Sequence, residues 1–176
     1  MKKMKILFAI IGIILILEGV NTIYKGTHEE NESTNVSVGE SVSDKNGVSF
    51  CVTSVKDVTS IGENCITDGN FVLLTVKINN TGKTPYDVNT LRFKLIADDM
   101  EYEYYSDALF SLEDAMYMDT INPGIAKEYE IVYETPFAHT EKDTKLKILD
   151  NAYSSEGIFI NLNKTFDLEG ALSHRE

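Results

Sequence analysis

Apolar and polar residues alternate along most of the chain after residue 35, which is the pattern of half-buried β-strands. In the stretch FVLLTVKINN at 71–80, Val72, Leu74 and Val76 fall on one face, whereas Thr75 and Lys77 fall on the other. A short strand is predicted near 36–42, and the alternation recurs at 48–52, 91–95, 101–104, 129–133, 146–148 and 158–162. The pattern therefore predicts about eight strands.

Turn-forming residues separate these predicted strands, at 44–47, 68–70, 79–85, 122–124 and 150–157. Only 106–120 lacks the alternation, and it is predicted to hold a helical turn or a long covering loop. Strands with one apolar face need a second sheet to bury that face. The fold class predicted for residues 36–168 is therefore all-β, an Ig-like antiparallel β-sandwich of about 7–8 strands, followed by a tail at 169–176.

The first 25 residues carry a different pattern, which predicts a hydrophobic signal or anchor helix. Lys2, Lys3 and Lys5 precede twelve apolar residues at 6–17, the order of an export signal. An uncleaved anchor over 6–24 is the alternative, because nineteen residues just span the ~30 Å hydrocarbon core. Either segment engages the membrane, and the lysines would stay on the cytoplasmic side. A buried helix of a cytosolic domain is the third possibility, and 26–35 is predicted to be an acidic flexible spacer.

Charge narrows the range of partners. The whole chain has a formal net charge of −12, and residues 26–176 carry 12 Lys and Arg against 27 Asp and Glu. Nucleic acids and anionic lipid headgroups attract basic surfaces rather than acidic ones. A nucleic-acid partner is therefore not expected, and the acidity suits a soluble exported domain.

The two cysteines, Cys51 and Cys65, are predicted to form a disulfide. An even count in an oxidising compartment favours a bridge. Closing this fifteen-residue loop would contribute about 3 kcal/mol in the chain-entropy model. Two free thiols are the alternative, and a zinc site is not expected because zinc needs four closely spaced ligands.

The tripeptide Gly82-Lys83-Thr84 raises the question of a phosphate-binding loop. Such a loop needs a glycine at the position of Lys77 and a helix after the threonine, but Pro85 follows here. The tripeptide is therefore predicted to be a turn. An enzyme is not expected either, because His139 is the only histidine between the spacer and the tail, and no G-x-S-x-G elbow occurs.

Residues 98–119 contain eight carboxylates and no lysine or arginine. Clustered carboxylates can bind calcium, and the candidate ligands are Asp98, Asp99, Glu101 and Glu103. The spacing of an EF-hand loop is absent, and a solvated sheet edge explains the same residues. Calcium therefore stays an open possibility, and no other cofactor is expected.

Tyrosines accompany these carboxylates. Tyr104, Tyr105 and Tyr117 are the candidate interaction residues, because aromatic side chains with polar tips suit binding surfaces. Core packing is the alternative for such residues. The partner they predict is a protein or another component of the cell envelope.

Three segments, VKINNTGKTPYDV, LRFKLIADDMEYEY and INPGIAKEYEIVYETP, resemble a family of exported bacterial Ig-like domains of unknown function. Members of that family are often mislabelled as a telomeric repeat-binding factor. The matching positions are 79–83, 93–95, 98–104, 123–124 and 129–133, and 38–55 resembles the first hairpin of the family. The resemblance covers about residues 36–150. It implies export and a sandwich fold shared with a mycobacterial immunogenic extracellular protein. It implies no activity, and the lipid-anchoring cysteine of many members is missing after the signal.

These observations predict a non-enzymatic, extracytoplasmic Ig-like domain that acts as a binding module, either membrane-anchored or secreted after cleavage. Contact residues are expected from 98–119. One alternative is a calcium-stabilised adhesion module. The other is an inhibitor of secreted hydrolases, which would present 106–120 or 135–145 as an exposed, extended loop.

Overall fold

The computed structural model describes residues 35–150 and 157–165. The predicted signal or anchor at 1–25, nearly all of the spacer and the tail at 169–176 lie outside these residues. Within the described part of the chain, no helix is long and apolar enough to cross a membrane. The described elements are eleven strands and three short 3₁₀-helices: β1 (Asn35–Val38), β2 (Val42–Ser43), β3 (Val48–Ile61), β4 (Cys65–Asn80), β5 (Tyr86–Asp87), η1 (Val88–Thr90), β6 (Arg92–Ala97), β7 (Met100–Glu103), η2 (Ser106–Ser111), β8 (Thr120–Ile121), β9 (Ala126–Thr135), η3 (His139–Glu141), β10 (Thr144–Leu149) and β11 (Ile158–Thr165).

Two sheets form a β-sandwich, as the alternation predicts. Sheet A has the strand order β1-β11-β10-β6-β7, and sheet B has the order β2-β3-β4-β9. Strands β5 and β8 pair separately as a two-stranded sheet. The prediction of a wholly antiparallel sandwich is wrong at one place, because β1 pairs with β11 in parallel. The reason is topological: β1 joins the last strand of sheet A instead of forming a hairpin with a neighbour in sequence.

The apolar faces of the two sheets pack against each other in one core. These residues are the ones that the period-two pattern places inward, and each buried aliphatic or aromatic side chain contributes about 1.5–3 kcal/mol. Sheet A supplies Phe93, Leu95, Leu146, Ile148 and Ile160, and sheet B supplies Phe50, Val52, Val72, Leu74, Val76, Ile78, Tyr129, Ile131 and Tyr133.

Strands β3 and β4 form one long hairpin, and the turn predicted at 68–70 is wrong. Those residues lie inside β4, and the chain reverses at 62–64, where Gly62 has a φ of 59°. Bulges between Val52 and Ser54 and between Val58 and Ser60 interrupt the alternation of β3 and hide its length. Gly69 serves close packing, since a Cβ there would lie 2.6 Å from the carbonyl oxygen of Thr135.

The predicted disulfide is also wrong, because this hairpin holds the two cysteines far apart. Cys51 pairs with Lys77, whereas Cys65 pairs with Ile61 beside the turn. Residues 51 and 61 are ten positions apart on β3, which corresponds to about 33 Å of extended strand. A disulfide requires Cα atoms about 4.4–6.8 Å apart. Both thiols are free and buried.

The Gly82-Lys83-Thr84 segment is a turn, as predicted, and a buried asparagine holds it. The side chain of Asn80 is only 1% exposed. Its Nδ2 donates hydrogen bonds to the carbonyl oxygens of Thr84 and Ile121, both at 2.8 Å, and its Oδ1 accepts one from the amide of Gly82 at 3.0 Å. Asn80 therefore ties the turn after β4 to strand β8.

Candidate functional site

A cavity of about 410 Å³ lies between the β7 side of sheet A and strand β9 of sheet B. The chain passes over it from one sheet to the other after β7 ends at Glu103. The lining is mainly apolar and aromatic with a few polar side chains at the rim: Val88, Asn89, Leu91, Arg92, Phe93, Glu103, Tyr104, Tyr105, Leu109, Leu112, Met116, Tyr117, Glu130, Ile131 and Val132.

Residues 104–119, here named the crossover segment, form one wall of the cavity and are bonded to sheet B and η1. The amide of Tyr105 donates to the carbonyl of Val132 at 2.7 Å, and the amide of Glu130 donates to the carbonyl of Asp114 at 2.8 Å. The amide of Met118 donates to Oδ1 of Asn89 at 2.9 Å. The prediction for 106–120 is thus confirmed, since this stretch holds the helical turn η2 and a covering loop.

The underside of the crossover segment packs on the outer face of sheet B. Ala108 of η2 is buried there with Phe71 and Val132, and Cys65 and Ile61 of the long hairpin complete the cluster. Phe71 and Val132 face away from the main core, so they would be exposed without this cover. The segment therefore stays in place because it buries a second, smaller apolar cluster.

The three candidate tyrosines all line the cavity, but they differ in exposure. Tyr105 is partly buried, and its ring centroid lies 5.2 Å from that of Phe71. Tyr105 therefore mainly packs against other residues of the protein, which is the alternative to an interaction role that the sequence left open. Tyr104 and Tyr117 are 47% and 57% exposed. These two side chains therefore offer aromatic surface at the cavity to a partner.

Several apolar residues of this region were not predicted to belong to a site. On the crossover segment, Phe110 is 93% exposed and Met118 is 75% exposed, and Leu109, Leu112 and Met116 line the cavity. The mixed spacing of 106–120 is the only signal in the sequence that could have found them. The opposite wall comes from 88–93 and 131, which no local pattern connects to this segment.

Three carboxylates of the crossover segment have no matching cation. Asp107, Glu113 and Asp114 are exposed. Among the described residues, no lysine, arginine or histidine nitrogen lies within 4.0 Å of their carboxylate oxygens. Burial, followed by the negative charges of Asp107 and Glu134, raises the pKa of the Tyr105 hydroxyl. The electrostatic potential around this wall of the cavity is therefore negative.

Arg92 is the one basic side chain in the lining of the cavity. Its Nη1 donates to the carbonyl oxygens of Asn89 at 3.1 Å and Leu91 at 2.8 Å. The guanidinium is thus engaged with its own backbone neighbours and forms no ion pair with a carboxylate in the described residues.

The crossover segment ends at a hydrogen-bonded anchor on β9. Asp119 forms an ion pair with Lys127 at 2.7 Å and accepts a hydrogen bond from the Tyr129 hydroxyl at 2.8 Å. Lys127 first, and then Tyr129, lower the pKa of the Asp119 carboxyl. Burial, and then Asp119, raise the pKa of Tyr129. These contacts fix the end of the segment next to strand β8.

The candidate calcium ligands do not converge on one point. Asp98 and Asp99 form the β6–β7 turn with φ of 45° and 67°, as in the tight turns of β-hairpins. Asp98 pairs with Lys142 at 2.8 Å.

The candidates on β7 are likewise matched by lysines, which lie on β6 and β10. Glu101 bridges Lys94 at 2.8 Å and Lys147 at 3.2 Å, and Glu103 pairs with Lys94 at 3.2 Å. Lys94 first, and then Lys147, lower the pKa of Glu101. Within residues 35–150 and 157–165, no group of three or more His, Cys, Asp or Glu side chains is placed to hold a metal ion.

The loops considered for a hydrolase inhibitor are not free, extended segments. Residues 106–120 lie on sheet B, as described above. Within 135–145, η3 is bonded to β3 through Asp57, whose carboxylate oxygens lie 2.9 Å from the His139 amide nitrogen and 2.6 Å from its Nδ1.

The family model for a domain of unknown function, DUF4352, matches residues 36–158. The chain belongs to this family. The matched range agrees with the resemblance at 36–150, so the predicted membership is confirmed. No curated protein matches the DUF4352 chain in sequence.

Solved structures share the β-sandwich of this DUF4352 domain. The secreted protein MPT63 of Mycobacterium tuberculosis has a TM-score of 0.56 at 14% identity, with 75% of this chain and 99% of that one covered. An uncharacterised β-sandwich protein of Clostridium difficile has a TM-score of 0.52 at 15% identity, with 76% and 96% covered. A candidate lipoprotein of Bacillus subtilis has a TM-score of 0.51 at 16% identity, with 74% and 41% covered. At these identities the likeness shows the fold alone.

Proposed function

We propose that this DUF4352 domain is a non-enzymatic, Ig-like binding module that acts outside the cytoplasm. Its recognition surface is the cavity together with the exposed side of the crossover segment. The observation that carries the proposal is the position of Tyr104 and Tyr117, two half-exposed tyrosines that line one apolar cavity. The partner is a protein that places an apolar side chain in the cavity.

The shape and chemistry of the cavity support this role. Its volume of about 410 Å³ lies within the range of ligand pockets, which are mainly apolar with a few polar groups that fix orientation. Tyrosine supplies a large contact area with a polar tip, and it is enriched at protein interfaces. Exposed Phe110 and Met118 extend the apolar surface beyond the cavity. A partner of matching shape would bury both tyrosines and exclude water from the opening.

The extracytoplasmic location rests on separate support. Lysines followed by an apolar stretch begin the chain, in the order of an export signal or anchor. One relative in fold is a secreted protein and another is a candidate lipoprotein. The domain would then meet its partner at the cell surface or in the medium, anchored or released.

Affinity capture with matched variants tests the proposed surface. The full-length protein in mild detergent is incubated with an envelope extract, and captured proteins are identified by mass spectrometry. The Tyr104→Ala/Tyr117→Ala variant is expected to lose one specific partner, because it removes both exposed rings. Ile125→Ala is the control, since Ile125 is 48% exposed and does not line the cavity. A partner retained by the double tyrosine variant but lost with Ile125→Ala would contradict the proposal.

A further inference from the structure

We infer that the partner meets this site through a cationic segment, in which lysine or arginine side chains flank the apolar side chain that enters the cavity. The inference rests on the proposed function and adds the charge of the partner. It depends on the distribution of charge around the cavity rather than on the cavity alone.

The position of the unmatched carboxylates is the first support. Asp107 lies two residues from both Tyr105 and Leu109, and Glu113 and Asp114 lie between Leu112 and Met116. Those four neighbours line the cavity. The acidic side chains are thus attached to the cavity wall itself, and they are exposed.

The contrast with strand β7 is the second support. There each of Glu101 and Glu103 has a lysine partner within 3.2 Å on a neighbouring strand. On the crossover segment, Asp107, Glu113 and Asp114 have no cation within 4.0 Å among the described residues, whereas Asp119 at its end pairs with Lys127. Residues 98–119 contain no lysine or arginine that could provide one. Lysine or arginine side chains of a partner would supply the cations that these carboxylates lack.

Electrostatic complementarity selects partners and accelerates their association. Exposed charges act over about one Debye length, roughly 8 Å at physiological salt. Cations beside the apolar side chain would therefore reach Asp107, Glu113 and Asp114 while that side chain occupies the cavity. A partner with an acidic flank would meet repulsion at the same positions. Preference for a cationic flank should accordingly weaken as salt rises.

Three synthetic peptides test the inference on the full-length protein in detergent. All have the same central tryptophan, which is flanked by four lysines, four glutamates or four serines. The protein has no tryptophan, so the emission of the peptide reports its own burial. Binding is measured from the blue shift and anisotropy of that emission at two salt concentrations.

Two matched charge variants distinguish the effect of the local carboxylates on peptide binding from the effect of the overall negative charge of the protein. Asp107→Asn/Glu113→Gln/Asp114→Asn removes the three unmatched carboxylates of the crossover segment, whose side chains make no hydrogen bond among the described residues, and it leaves Asp119 in place. Asp68→Asn/Asp99→Asn/Glu141→Gln removes three other exposed carboxylates that form no ion pair there. Both variants change the net charge equally.

We expect the lysine peptide to bind at least roughly tenfold more tightly than the glutamate peptide at low salt. The variant without the carboxylates of Asp107, Glu113 and Asp114 should lose most of that preference. The variant without the carboxylates of Asp68, Asp99 and Glu141 should retain it. Equal binding of all three peptides, lost in Tyr104→Ala/Tyr117→Ala, would overturn the cationic partner and leave the proposed binding surface standing. A preference that both charge variants reduce equally would also overturn it. Failure of every peptide to show tyrosine-dependent burial would overturn both proposals.

Discussion

Replacing Asn80 by alanine tests whether the turn after β4 is held as the structure indicates. The substitution removes three side-chain hydrogen bonds, to the carbonyls of Thr84 and Ile121 and from the amide of Gly82. Water can replace Asn80 at the Thr84 carbonyl and the Gly82 amide, so the loss of each of these two hydrogen bonds costs about 1 kcal/mol on average. The Ile121 carbonyl lies in a buried environment, where an unsatisfied acceptor costs about 1–3 kcal/mol. The expected loss of stability is therefore about 3–5 kcal/mol.

Urea unfolding, followed by far-ultraviolet circular dichroism, measures this loss. With an m-value of about 2 kcal/mol/M, the midpoint should fall by about 1.5–2.5 M at unchanged slope. Asn79→Ala is the matched control, because Asn79 is half-buried in the same strand and its side chain forms no hydrogen bond within the described residues. The control should lose less than about 1 kcal/mol. Equal losses for the two variants, or a loss below 1 kcal/mol for Asn80→Ala, would refute this reasoning.

Four further outcomes follow from particular contacts. Tyr129→Phe should lower the free energy of unfolding by about 2 kcal/mol, because it removes a hydrogen bond to a carboxylate. Tyr133→Phe should cost less in the same assay, because the buried Tyr133 hydroxyl has no partner among the described residues; a larger cost than that of Tyr129→Phe would contradict this. Thiol titration of the protein, purified and denatured without reductant, should find both Cys51 and Cys65 reactive, whereas the absence of any reactive thiol would contradict the free thiols. Millimolar calcium should leave the melting temperature unchanged, because two lysines already neutralise Glu101, and a chelator-reversible rise of several degrees would contradict this.

Alternation predicted the sandwich well because its strands have one face in the core and one in solvent. It failed where the backbone departs from regular pairing. The bulges of β3 shift the inward positions, so the alternation breaks after Val52 and the sequence predicts a turn at 68–70 that the structure does not have. The predicted disulfide followed from the even number of cysteines, which carries no information on the distance that the long hairpin sets between Cys51 and Cys65. The parallel pairing of β1 with β11 leaves no local trace in either strand.

The sequence could predict only the wall of the candidate site that the crossover segment forms. Tyr104, Tyr105 and Tyr117 lie within fourteen consecutive residues, so their shared location follows from the short chain between them. The opposite wall includes Phe93 and Ile131, which topology brings to the cavity from different sheets. The ion pairs of Glu101 could not be predicted from the local sequence either, because its lysine partners lie on β6 and β10.

Site-specific photocrosslinking tests most directly whether the cavity and the crossover segment form the recognition surface. Photoreactive benzoylphenylalanine is placed at Tyr117 or at Ile125, which are similarly exposed, in the full-length protein within living cells. The proposed function predicts a discrete crosslinked adduct with one protein from position 117 and none from position 125. An adduct from position 125 without one from position 117 would contradict it.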